Sequence, residues 1–258
     1  MQTEVKGLVI RSVDLKESDR LITIFTEEQG AITALARGAR TLKSRKMSST
    51  MQFCYGTFVL YGQSDKYWIK EASLIESFFG IRDSIEGLAL ANYIAEILSD
   101  VTVESAECDL LRLSLNSLYA IAERKYSFEK IKAVFEIRCA SILGFMPDVL
   151  ACHSCGERAG DFFFDIMGGN LECAGCRAEA SESGEPHPDP HESRIIALLS
   201  EGAKTALGYA IYAPLERIFS FNISEPDMRL FSRCTELYLL NQLGHSFRSL
   251  DFYASVKR

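Results

Sequence analysis

The sequence predicts an α+β chain of several domains: a small closed β-barrel at the amino end, then an all-α domain that carries an inserted four-cysteine module. Three observations predict this. Short runs of β-branched and apolar residues crowd roughly the first 75 residues, with no helical period. From residue 83 the apolar spacing becomes helical. Two Cys-x2-Cys pairs then interrupt the helical pattern at residues 152–176.

The predicted strands are 5–13, 20–26, 31–36, 57–63 and 66–71. Glu27-Glu28-Gln29-Gly30 and Ser64-Asp65 supply turns between them. Five strands in so short a length suit an OB-fold. The first helix is expected from the capping-box form Asp83-x-x-Glu86, with Leu90, Ile94, Ile97 and Leu98 on one face. A second shows Leu111, Leu115 and Leu118, and a third shows Phe128, Ile131, Phe135, Cys139 and Ile142. Gly144 and Pro147 end the third. An acidic, proline-rich link (180–191, with Pro186, Pro188 and Pro190) precedes helices near 192–207 and 225–243. The last has Ser224 as N-cap and Leu230, Cys234, Leu237 and Tyr238 on its buried face. The implied domains are 1–80, 81–150, 151–180 and 181–258, with no internal repeat.

The bulk composition, 47% hydrophobic and 24% charged, is that of a globular protein able to bury a core. Glu4, Lys6, Arg11 and Asp14 interrupt any signal-peptide-like run, and no apolar stretch reaches membrane-spanning length. A cytoplasmic location is therefore expected. Thiols stay reduced there, so eight cysteines are not a disulfide framework by default. Cys54, Cys108, Cys139 and Cys234 read as small core residues.

Cys152, Cys155, Cys173 and Cys176 have the spacing of two knuckles around one tetrahedral, structural zinc ion. Gly156, Gly168, Gly169 and Gly175 are expected to provide tight turns there. His153, His187 and His191 are near enough in sequence to compete as ligands but are expected to be solvated. Four protein ligands leave no open coordination position. No Gly-rich phosphate loop, His-Glu zinc motif or nucleophile elbow occurs elsewhere, so the chain is not expected to be an enzyme.

The net charge is −7, but residues 1–80 hold 11 Lys and Arg against 9 Asp and Glu. Arg37, Arg40, Lys43, Arg45 and Lys46 fall within ten residues, with no acid among them. Gly38 and many Ser and Thr residues make this a mobile interstrand loop, and Phe53, Tyr55, Tyr61, Tyr67 and Trp68 follow. Cations for phosphates and rings for bases are the means of gripping single strands. Five phosphate contacts would give a salt slope of about −4.5 on duplex.

These residues carry a family resemblance. Asp14-x-x-Glu17-x-Asp19, Ile24-Phe25-Thr26-x-x-x-Gly30, Ala36-Arg37-Gly38-Ala39-Arg40 and Ser44-Arg45 mark the amino end. Gly144-Phe145-Met146-Pro147-x-x-Leu150-x-Cys152-x-x-Cys155-Gly156 leads through Gly168-Gly169 to Cys173-x-x-Cys176. Over essentially its whole length the chain resembles the RecO family of bacterial recombination mediators. Where that family often has a Leu-Gln-Pro-Phe-like step, this chain reads Met51-Gln52-Phe53-Cys54. The resemblance implies binding of single- and double-stranded DNA, annealing of complementary strands, and work with RecR and SSB to load RecA. The acidic, apolar SSB tail needs cations beside an apolar hole, for which Arg124, Lys125, Lys130, Lys132 and Arg138 are candidates. An RNA-binding or scaffold protein with the same modules, lacking annealing activity, is the alternative.

Overall fold

A computed structural model describes residues 2–63, 66–101, 108–182 and 195–257. The expected turn at Ser64-Asp65, most of the proline-rich link, and His187 and His191 lie outside the described residues. The chain divides into two compact units, residues 1–125 with 247–258, and residues 126–246.

The first unit begins with the barrel. Its strands are β1 (Gln2–Leu15), β2 (Asp19–Thr26), β3 (Gly30–Ala36), β4 (Tyr55–Gln63) and β5 (Lys66–Glu76). They close in the order β1-β2-β3-β5-β4, antiparallel except for the β3–β5 pair. Closure removes the exposed edges an open sheet would present. The alternation seen in the sequence is the inward face: Val5, Val9, Ile22, Ile24, Ile32, Phe58, Leu60 and Ile69 fill the interior.

After a 3-10 turn at Phe79–Asp83, α1 (Ile85–Val101) and α2 (Cys108–Ala122) complete the amino-terminal part of this unit. The cap of α1 is Ser84, one residue later than the capping box expected at Asp83; its hydroxyl accepts from the Gly87 N–H at 3.2 Å. Leu90, Ile94, Ile97 and Leu98 are buried as expected.

The second unit corrects the all-α expectation. It is helix-rich, with α3 (Phe128–Ile142), α4 (Ala174–Glu182), α5 (Glu201–Tyr212) and α6 (Glu225–Leu243). It also contains a four-stranded sheet of β6 (Asp148–Cys152), β7 (Phe162–Asp165), β8 (Asn170–Cys173) and β9 (Ile196–Leu199), in the order β6-β8-β7-β9. Part of the helix expected over 192–207 is strand β9, and α5 starts only after Ser200 caps it. The sheet packs on α6, where Phe164 and Tyr238 meet edge to face at 5.3 Å.

α3 is central, buried on nearly every side. It ends in a Schellman motif: Gly144, at φ 94°, donates to the Ser141 carbonyl and Phe145 to the Ala140 carbonyl. Ser224 caps α6 as expected, accepting from the Asp227 N–H. The chain then returns to the first unit as α7 (Arg248–Val256), which packs on α1.

Candidate metal centre and nucleic-acid interface

The four cysteines converge because β6 and β8 run parallel as neighbours. Cys152 ends β6 and Cys173 ends β8, so both arrive at one end of the sheet. Cys155 follows in a turn closed by the Gly156 N–H on the Cys152 carbonyl at 2.9 Å, with Gly156 at φ 78°. Cys176 lies in the first turn of α4. Only Gly156 serves a knuckle by its conformation. Gly169, at φ 64°, turns β7 into β8 with Gly168, and Gly175 is helical.

All four Sγ atoms lie within 4.8 Å of one another, and those of Cys155 and Cys173 are 3.6 Å apart. Sulfurs 2.3 Å from a common tetrahedral ion would be about 3.8 Å apart. The donor set therefore fits a metal ion that takes four soft ligands. Backbone amides already point at sulfur: Cys173 N–H lies 3.3 Å from the Cys152 Sγ, and Cys176 N–H 3.4 Å from the Cys173 Sγ. Burial opposes ionisation of Cys152, but the amides of Cys155, Cys173 and Ser154 outweigh it and bring the thiol down to about 6. Cys176, hydrogen-bonded to the Cys155 and Cys173 sulfurs, is pushed up. His153 is exposed, pairs with Ser154 and is outside the cluster.

Of the other four cysteines, Cys54, Cys139 and Cys234 are buried, whereas Cys108, expected in the core, is exposed at the start of α2.

The basic loop joins β3 to β4. It is a succession of hydrogen-bonded turns fastened to the barrel rather than the mobile link expected. Ser49 and Thr50 are buried, and Arg20 donates to the Met47 carbonyl and the Thr50 hydroxyl. Ser12 donates to the Thr50 carbonyl, the Phe53 N–H donates to the Val9 carbonyl, and the Val9 N–H donates to the Cys54 carbonyl. The five cations divide. Arg40 pairs with Asp14 at 3.2 Å and donates to the Lys16 carbonyl; Lys46 donates to the Ile69 carbonyl. Arg37, Lys43 and Arg45 are exposed; Arg37 lies over the Trp68 ring and close enough to the Asp19 carboxylate to act on it. The acids of the amino-terminal motif brace this loop. Asp14 holds Arg20 and Arg40, and Asp19 accepts from the Gly38 N–H at 2.9 Å, a bond that holds its carboxyl below the usual range.

Family models described as Recombination protein O N terminal and Recombination protein O C terminal match residues 1–78 and 82–251. The chain belongs to the RecO family. A DNA repair protein RecO from Acetivibrio thermocellus is 34% identical over 257 residues, covering 99% of this chain and 97% of that protein. One from Clostridium kluyveri is 31% identical over 183 residues, 69% of this chain and 70% of the relative. One from Clostridium acetobutylicum is 26% identical over 257 residues, 98% and 97%. RecO proteins are non-catalytic mediators of DNA repair; this chain shares that general role and is not an enzyme. Among the described residues no helix is long and apolar enough to cross a membrane.

The cations proposed from the RecO resemblance for an acidic tail are divided between the two units. Arg124 and Lys125 are exposed at the end of α2 in the first unit. The other three belong to α3 in the second unit. Lys130 is buried, donates to the Phe221 carbonyl and lies over the Tyr126 and Phe221 rings. Arg138 donates to the Ala213 carbonyl at 2.9 Å. Lys132 is 3% exposed between Glu136 at 2.8 Å and Glu236 at 2.7 Å. Burial works against its charge, but the two carboxylates prevail and raise it above the ordinary lysine value. Its charge is thus neutralised inside the unit. An i, i+4 Lys-Glu pair in the sequence could have marked it as an internal ion pair.

Proposed function

We propose that this RecO-family chain binds single- and double-stranded DNA through the β3–β4 loop, anneals complementary strands and helps load RecA onto SSB-coated single strands. The observation that carries the reading is the exposure of Arg37, Lys43 and Arg45 on one braced loop of a closed five-stranded barrel. Annealing needs no nucleophile or general base. It needs fixed cations that lower the repulsion between two phosphate backbones. With Arg40 and Lys46 engaged within the barrel, three exposed cations give a duplex salt slope of about −2.7 rather than −4.5.

Cys152, Cys155, Cys173 and Cys176 hold one structural zinc ion per chain in this reading. Zinc would clamp the ends of β6 and β8, and four sulfur ligands leave it no position for water or substrate. RecR and the SSB tail are the protein partners. For the tail, exposed Arg124 and Lys125 are favoured, since Lys130 and Arg138 donate to carbonyls of their own unit and Lys132 is ion-paired inside it.

The test is annealing of SSB-coated complementary strands by the full chain. The wild type should accelerate it, and the triple variant Arg37→Glu, Lys43→Glu, Arg45→Glu should lose most of that acceleration while keeping its fold. No acceleration by the wild type overturns the reading.

A further inference from the structure

Tyr61 and Trp68 face each other across β4 and β5. Their neighbours Leu60 and Ile69 are also opposed and are buried inside the barrel. Alternation therefore puts the two aromatic rings on the outer surface. The rings stack, with centroids 5.7 Å apart and planes 23° from parallel. Tyr61 is 41% exposed and Trp68 half-buried. A cross-strand aromatic pair stabilises a sheet by itself, so the pair alone implies no ligand.

Its surroundings do. The Arg37 guanidinium lies 5.9 Å from the Trp68 ring centre, which ties the start of the basic loop to the pair. Lys46, at the far end of the cationic run, bonds the carbonyl of Ile69, next to Trp68. Lys66 stands two residues before Trp68 on the same strand and so on the same face, and is exposed; Lys70, also exposed, follows beside a β-bulge. The cationic field ends where Glu4 and Glu71 flank Val59, the next outward position on β4. Rings are thus bordered by cations on one side and closed off by acids on the other.

We infer that Tyr61 and Trp68 form a stacking platform for unpaired bases of single-stranded DNA, with Arg37 and Lys66 along the phosphates. The inference rests on the DNA-binding reading above and deepens it. Every base has a π-face, so such a platform grips single strands without regard to sequence. A duplex keeps its bases stacked on one another and cannot present them to the rings. The platform therefore gives the loop a preference for unpaired strands that cations alone would not.

Trp68 is the single tryptophan of the 258-residue chain, which makes it its own reporter. The full chain is titrated with a labelled oligothymidylate and, separately, with a blunt duplex of equal length, following label anisotropy and tryptophan emission together. Quenching is expected with the single strand and little change with the duplex. Trp68→Ala should weaken single-strand affinity about fivefold or more, with Trp68→Phe restoring most of it. Strand binding with unchanged emission, or full affinity in Trp68→Ala, overturns the platform and leaves the DNA-binding reading standing. Absence of binding to either DNA removes both.

Discussion

At the scale of single residues, the second unit hangs on a charge that sequence inspection would place outside. Lys132 on α3 meets Glu136 on the same helix and Glu236 on α6, and the fully buried Glu136 also accepts from the Thr235 hydroxyl at 2.9 Å. Removing one partner leaves a carboxylate buried and uncompensated. Lys132→Met is expected to destabilise the second unit by about 3–5 kcal/mol. The double variant Lys132→Met, Glu136→Leu should recover much of that loss, because the stranded charge goes with its partner. Urea unfolding of the three proteins checks this; equal stability of wild type and Lys132→Met would show that the pair is dispensable. The cysteines also fall into two groups at this scale. Burial pushes the Cys139 thiol up to about 12 and raises Cys234 too, which makes both inert, whereas amides draw Cys152 down to about 6. Phe53 shows a further residue-scale constraint. It is buried at φ 65°, a conformation that proline, with its fixed negative φ, could not adopt.

At the scale of elements, the sheet of the second unit joins the cysteine quartet to the helices. Cys152 and Cys173 stand at the ends of adjacent parallel strands, so loss of the proposed zinc should loosen β6, β8 and the start of α4 together. Cys173→Ser is expected to lower zinc from one per chain to well below that and to open protease sites within 152–182, with barrel fragments still resistant. Elemental analysis and limited proteolysis check both parts; full zinc content with unchanged cleavage would count against the assignment. The barrel strands were legible because half-buried strands alternate, and Val5, Ile22, Ile24 and Phe58 keep that period. The second sheet was not. Phe162–Asp165 and Ile196–Leu199 are four-residue, largely apolar runs, too short to show a period, and the latter merges in sequence with the helix that follows. The quartet was legible from spacing alone, and the loop from its charge. Which of its cations are free was not, because Asp14 and the Ile69 carbonyl reach Arg40 and Lys46 only through the barrel register. The same register hides the pairing of Tyr61 with Trp68.

At the scale of the whole molecule, the chain leaves its first unit after residue 125 and re-enters it at residue 247. α7 supplies contacts that α1 lacks without it: Phe247 meets Tyr93 edge to face at 5.8 Å, and Glu96 accepts from both the backbone and the hydroxyl of Ser249. Deletion of residues 247–258 should therefore lower the melting temperature of the barrel-bearing unit by several degrees, although the barrel strands themselves are intact. Differential scanning calorimetry against the full chain checks this, and an unchanged first-unit transition would show that α7 contributes nothing. This threading also sets the order of events at the ribosome. The barrel strands emerge first, yet the unit that contains them stays unfinished until residues 247–258 have been translated. Through all of that interval Tyr93 and its neighbours on α1 await a partner that the ribosome has not yet made, a window in which a chaperone could hold the nascent chain.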